Sequence, residues 1–354
     1  MKPRSTKIKK IDGIPLAVVG RGREVCMFVR RDKKTTSSIH LLYSLDGVDF
    51  IEDSGKVSIK NLAGKTEKLK SCDRFSVSRT PNGYVMTYVR KAAGKGKGAS
   101  KSMLIVARSS DIFEWNVKSE LPVEEDHHTT IVYDKPRDMF ELYRDGLFIK
   151  HQSSLTMSIW KEKPGLVFTS RNGHFDSDKL AIIGSVNVEE GILLLYDASI
   201  QSKSTMLLQV GAVVLDRNNP KRVNWRSGVP VWQGVVEATK KSLPTGPLGF
   251  VSQGENLLIY WITSDFNLIL VKIKSSFKDI DDHRYHPKIL NRFHGNPIME
   301  PRHGHEWEVE GTFNPAVVED DEGIIHLLYR AVGRDGISRV GYARSKNGTH
   351  FTKR

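Results

Sequence analysis

The strongest constraint on this chain is a pattern that returns after 300 residues. From Gly311 to Phe351 the sequence runs GTFNPAVVEDDEGIIHLLYRAVGRDGISRVGYARSKNGTHF, and residues 23–50 read REVCMFVRRDKKTTSSIHLLYSLDGVDF. Superposing the Ser-x-(Asp/Asn)-Gly-x-x-Phe tails sets Ser44, Asp46, Gly47 and Phe50 on Ser345, Asn347, Gly348 and Phe351. Arg30 then falls on Arg330 and Ser37 on Ser338. The later copy predicts two strands, IIHLLYRAV and SRVGYARS, joined by Gly-Arg-Asp-Gly and closed by Asn-Gly. Both turns supply residues that tolerate positive φ, which hairpins require. A unit recurring at such a distance must be explained before the rest of the fold.

Between the copies the sequence is strand-like almost throughout. Short runs of Val, Ile, Leu, Tyr and Phe are broken by Gly, Asn, Asp and Pro. The one stretch with a weak helical period is SSFKDIDDHRYH, residues 275–286. The runs group into units of about 55–60 residues, the size of a four-stranded propeller blade with long loops. Ser109-Ser110-Asp111 with Trp115 echoes the tail, and Ser170, Asn172, Gly173 and Phe175 repeat it. Five such units fill the long period. The fold expected is all-β: a five-bladed β-propeller over residues 1–290, then residues 291–354 as the first blade of a second propeller repeat, cut short. A six-bladed ring is the alternative. A lone blade has unpaired edges and needs a partner, by docking or as a homo-oligomer.

Composition narrows the class. With 39% hydrophobic residues in 354, the chain can bury a sizeable core. Cys26 and Cys72 cannot make a disulfide framework, the basic N-terminus lacks the apolar run of a signal peptide, and no stretch approaches about 20 apolar residues. A soluble cytoplasmic protein is expected, without membrane contact. The formal charge of +13 favours anionic partners, yet no nucleic-acid recognition motif accompanies it, so nucleic acid is not the expected partner. The glycines Gly94, Gly96 and Gly98 precede no helical pattern and read as a hairpin tip, not a phosphate loop. His127 and His128, after Glu124-Glu125-Asp126, have no standard metal-site spacing and read as a solvated loop. Neither a metal nor an organic cofactor is expected.

The segment NPIMEP…WEVEGTFNPAVV…IHLLYRAVGRDGISRVGYARSKNGTHF resembles the N-terminal blade of glycoside hydrolase family 130, and the first 290 residues resemble the same family in the same order. The resemblance implies five-bladed propellers that are mostly β-mannoside phosphorylases, with some hydrolases. Their substrates are β-mannosides, with inorganic phosphate as co-substrate. A carboxylic acid protonates the departing glycosidic oxygen while phosphate inverts the anomeric carbon, the two-faced geometry of an inverting enzyme. Carried over residue by residue, Asp73 is the nearest match to the acid. Arg144 and Lys179 match phosphate-binding positions; Arg30, Asp265, Asn314, Arg330 and Ser338 match substrate-contacting ones. The chain also departs from the family. Ser-Cys-Asp-Arg-Phe-Ser replaces Glu-Asp-Pro-Arg, and Asp197 stands where the family has a phosphate-contacting histidine. A carboxylate there repels phosphate. The implied function is inverting phosphorolysis of β-mannosides; the alternative is a non-catalytic carbohydrate-binding propeller.

Overall fold

The computed structural model describes residues 5–8, 10–34, 36–91, 101–123, 127–160, 163–202, 204–238, 242–253, 256–274, 297–320 and 322–354. The stretch of weak helical period at 275–286, the glycines Gly94, Gly96 and Gly98, and Glu124–Asp126 lie outside them. Two compact units are present, Met1–Pro287 and Lys288–Arg354. Among the described residues, every regular element is a strand apart from two 3-10 turns at Leu69–Ser71 and Lys135–Arg137. Among the described residues no helix is long and apolar enough to cross a membrane.

The larger unit opens with β1 (Ser5–Lys7) and contains five sheets in chain order. The first is β2 (Ile14–Arg21), β3 (Glu24–Asp32), β4 (Ser37–Ser44) and β5 (Ile51–Lys56). The second is β6 (Ser58–Lys60), β7 (Cys72–Thr80), β8 (Gly83–Arg90), β9 (Ser102–Ser109) and β10 (Glu114–Val123). The third is β11 (Thr129–Asp134), β12 (Met139–Arg144), β13 (Ile149–Ser154) and β14 (Gly165–Phe168). The fourth is β15 (Ala181–Val188), β16 (Gly191–Asp197), β17 (Ile200–Ser202), β18 (Thr205–Leu215), β19 (Val223–Arg226) and β20 (Trp232–Glu237). The fifth is β21 (Pro244–Gln253), β22 (Asn256–Thr263) and β23 (Leu268–Lys274), and β1 completes it by pairing with β23. That last pairing ties the start of the unit to its end.

Strand periodicity explains how the sheets stack. On β3, Val25 through Val29 are all fully buried, so both faces of the sheet are covered. Cys26 and Phe28 join Met86, Tyr88 and Trp115 of the second sheet in one core, with Phe28 edge-on to Trp115. Val25, Met27 and Val29 join Leu258, Tyr260 and Leu270 of the fifth in another. The leading strands β2, β7, β11, β15 and β21 neighbour one another in sequence, and β21 returns to β2. They surround a small central cavity of about 90 Å³ lined in part by Ser76, Ser78, Thr130 and Ser185.

The serine tail proves to be a turn device. The Ser44 hydroxyl accepts the Gly47 N–H, and Asp46 Oδ1 accepts those of Val48 and Asp49. Ser109 with Asp111 builds the same turn, as does Ser345 with Asn347. In the third sheet the turn falls at Ser154, whose hydroxyl accepts the Met157 N–H, and not at Ser170–Phe175, which follow β14. The sequence pattern hides it because Thr156 stands where the other turns have Asp or Asn, and Met157 takes the left-handed position at φ 62°.

The smaller unit holds one three-stranded sheet, β24 (Gly311–Glu319), β25 (Ile325–Val332) and β26 (Ser338–Ser345). One face packs Leu327, Tyr329, Ala331 and Ala343 against Met299, Trp307 and Phe351. Behind them Glu308 is fully buried, bonded to Arg302, Arg354 and the Tyr329 hydroxyl. On the opposite face Leu328, Val340 and Tyr342 are exposed, although their counterparts Phe28, Ile39 and Leu41 are buried in the first sheet.

Candidate functional site

The start of each leading strand lies beside the end of the strand that follows it. Ile14 is opposite Arg30, Cys72 opposite Arg90, Thr129 opposite Arg144, Ala181 opposite Asp197 and Pro244 opposite Thr263. Successive sheets thus present Arg30, Arg90, Arg144 and Asp197 at equivalent positions. Just inside, four of the five leading strands carry bulges, between Pro15 and Ala17, Asp73 and Ser76, Ile182 and Gly184, and Pro244 and Gly246. A bulge re-aims side chains. In β7 it holds Arg74 at φ 54°, and the corresponding bulge of β24 holds Asn314 at φ 47°.

A cavity of about 390 Å³ opens at these strand starts. Arg30, Asp73, Arg74 and His128 give it a polar side; Ile14, Pro15, Pro247, Ile262 and Phe266 give it an apolar one. Arg30 is partly committed: its Nη1 donates to the Cys72 carbonyl at 2.7 Å, and its Nε lies 3.1 Å from Asp32. Asp73 accepts the Arg74 N–H at 2.9 Å and faces Lys91 Nζ at 3.2 Å. Desolvation pushes its pKa up, but the Arg74 N–H and the Lys91 ammonium outweigh that and hold the carboxyl below its usual range.

His128 is half-buried and belongs to this site, not to a solvated loop. Its Nε2 accepts from Arg74 Nη1, which assigns the ring proton to Nδ1, and its backbone N–H donates to Asp145 Oδ1 at 2.9 Å. Burial first, then the charges of Arg74 and Lys179, push its pKa down to about 4, against a rise from Asp145. Asp145 also accepts the Ile182 N–H at 3.1 Å, which links the third and fourth sheets. Arg74 Nε is buried and has no hydrogen-bond partner among the described residues.

Arg144 is half-buried and has no carboxylate partner among the described residues; burial alone lowers its pKa. Lys179 is exposed and lines a neighbouring cavity of about 350 Å³ with Gly146, Phe148, Ser170 and Asp178. Asp197 is buried, accepts the Ser199 hydroxyl, and is pushed up to about 6 by desolvation. Asp265 spends both carboxylate oxygens on its own turn, through Thr263 Oγ1 and Asn267 Nδ2. In the smaller unit Arg330 donates to Ser338 Oγ at 3.0 Å and stacks over Phe313 at 5.9 Å.

The structure therefore gathers Arg30 and Asp73 at one cavity and sets Lys179 on the next. Asn314, Arg330 and Ser338 are grouped in the smaller unit. Arg74 and Phe266 went unmarked in the sequence, and His128, which the sequence assigns to a solvated loop, lines the cavity instead. Arg74 adjoins the marked aspartate, but nothing local forecasts its bond to a histidine 54 residues away. Arg90, at the equivalent strand end of the second sheet, is neutralised by Glu67 and Glu120.

No family model matches the chain. It is 39% identical over 71 residues to the 1,2-β-oligomannan phosphorylase of Thermoanaerobacter sp. (strain X514), which is 18% of this chain and 24% of that protein. The chain spans about a quarter of the length of the curated relatives it matches. Solved structures share its fold at low identity. One, from the GH130 family of mannoside phosphorylases that contains glycoside hydrolases targeting β-1,2 mannosidic linkages in Candida mannan, gives a TM-score of 0.57 at 18% identity, over 74% of this chain and 84% of the other. Another, the β-1,2-mannobiose phosphorylase of Listeria innocua with β-1,2-mannobiose, gives 0.54 at 15%, over 76% and 90%. The chain is a GH130-like protein, alike in sequence over a short part of its length and in fold over most of it.

Proposed function

We propose that the larger unit is a five-bladed β-propeller, that the smaller is one further blade, and that the protein cleaves β-mannosides by inverting phosphorolysis. The observation that carries this reading is the cavity that draws Arg30, Asp73, Arg74 and His128 from three successive sheets to one place. In the reaction a phosphate oxygen bonds to the anomeric carbon as the glycosidic C–O bond breaks. The proton of the Asp73 carboxyl passes to the departing oxygen. Arg144, short of a counter-ion, and Lys179 hold the phosphate, with the free donor of Arg74 directed to substrate or phosphate. Work in the cytoplasm fits the two buried, unpaired cysteines, Cys26 and Cys72.

Two observations favour a second reading, a sugar-binding module without turnover. Lys91 and the Arg74 N–H hold Asp73 in its ionised form, which suits a proton donor poorly. Asp197 introduces a carboxyl among the strand-end arginines. The test is incubation with β-1,2-mannobiose, with and without inorganic phosphate. Mannose 1-phosphate formed only with phosphate supports phosphorolysis, and free mannose at equal rate in both points to hydrolysis. Binding without either product leaves the module.

A further inference from the structure

Within the carbohydrate reading, the hairpin between β22 and β23 assigns a new role to Phe266. Thr263, Ser264 and Phe266 line the 390 Å³ cavity, whereas the Asp265 carboxylate turns back into the hairpin. Thr263 Oγ1 donates to one of its oxygens and Asn267 Nδ2 to the other, at 2.7 Å. The Phe266 N–H donates to the Thr263 carbonyl at 2.9 Å and closes the turn. This leaves Phe266 at φ 62°, a left-handed backbone that aromatic residues seldom adopt, with the residue 45% exposed. A large apolar ring held in water on a strained backbone is unfavourable on both counts, and such outliers cluster at ligand sites.

We propose that Phe266 is a stacking platform for a pyranose ring at the rim of the cavity, and that Asp265 is a positioning residue that holds it there. A pyranose offers hydroxyls at its edge and C–H bonds on its faces. The cavity is divided to match: Arg30, Asp73, Arg74 and His128 meet the hydroxyl edge, and Phe266 with Ile262 and Pro247 meets the C–H face. Asp265 thereby acts on the sugar through the ring it presents.

The test is calorimetric titration of the full chain with β-1,2-mannobiose. Phe266→Ala weakens binding about tenfold and Phe266→Trp retains it. Asp265→Ala brings a comparable loss, and the Asp265→Ala/Phe266→Ala double variant binds no more weakly than Phe266→Ala alone, because both act on one contact. Wild-type affinity in Phe266→Ala overturns the proposal while the carbohydrate reading stands. Losses that add in the double variant overturn the positioning role and make Asp265 a direct contact. If the parent chain binds no β-mannoside of a linkage panel, the carbohydrate reading falls and this inference with it. Melting temperatures of all variants, measured alongside, separate these outcomes from unfolding.

Discussion

Arg74 Nη1 donates to Nε2 of His128, joining the bulge of β7 to the start of β11. This bond fixes the histidine as an acceptor and keeps a guanidinium at the cavity beside Asp73, the only carboxylate that lines it among the described residues. Arg74→Ala leaves that ring nitrogen without its donor. A charged hydrogen bond of this kind contributes about 2 kcal/mol, so urea midpoints at pH 7.5 should fall accordingly. Arg74→Lys should recover only part, because an ammonium lacks the planar fork.

Burial of His128 makes stability depend on pH with a definite sign. The unfolded imidazole titrates near 6.5 and the folded one at about 4, so the unfolded chain binds more protons between these values. Stability should therefore fall as pH drops from 6.5 toward 4. His151, buried against Glu141 and also pushed down to about 4, adds to the same slope. His128→Gln, which keeps an acceptor for Arg74, should flatten the slope by on the order of 2 kcal/mol across the window.

Asp197 predicts the opposite sign. Its folded pKa of about 6 lies above the unfolded value, so its contribution is fully present below about pH 3.8 and is lost as pH rises through 6. Asp197→Asn should raise stability at pH 7.5 by on the order of 2 kcal/mol, and the gain should vanish by pH 4. Thermal melts across that range check it.

Much of this architecture was legible because it repeats. The pairing of Arg30 with Arg330, the hairpin turns and the alternation of apolar residues all followed from strand geometry and turn chemistry. The third serine turn was misplaced because it has Thr156 for the Asp or Asn and Met157 for the glycine of the Ser44 and Ser345 turns. The site was half legible. Arg30 was marked as a strand-end arginine in the repeat, and Asp73 as the nearest match to the acid that the family resemblance implies. His128 and Phe266 did not, since a histidine after an acidic run and a phenylalanine in a turn carry no signal until the sheets bring them together.

Lys91 offers a direct handle on the proposed acid. Its ammonium, 3.2 Å from Asp73, favours the carboxylate. Lys91→Ala should raise the Asp73 pKa and shift the limb of the pH–rate profile governed by the acid to higher pH. An unmoved profile would remove Asp73 from the reaction.

Arg144→Ala should raise the KM for phosphate at least tenfold, the loss of about 1.4 kcal/mol of charge-assisted contact. The KM for the mannoside should change far less. Steady-state kinetics with each substrate varied in turn separates the two.

The central claim is that phosphate attacks a β-mannoside from the face opposite the departing sugar. The most direct measurement is the anomeric configuration of the product, read by proton NMR during the first turnovers with β-1,2-mannobiose and phosphate. Inversion gives α-mannose 1-phosphate. β-Mannose 1-phosphate, or free mannose released at the same rate without phosphate, would contradict it.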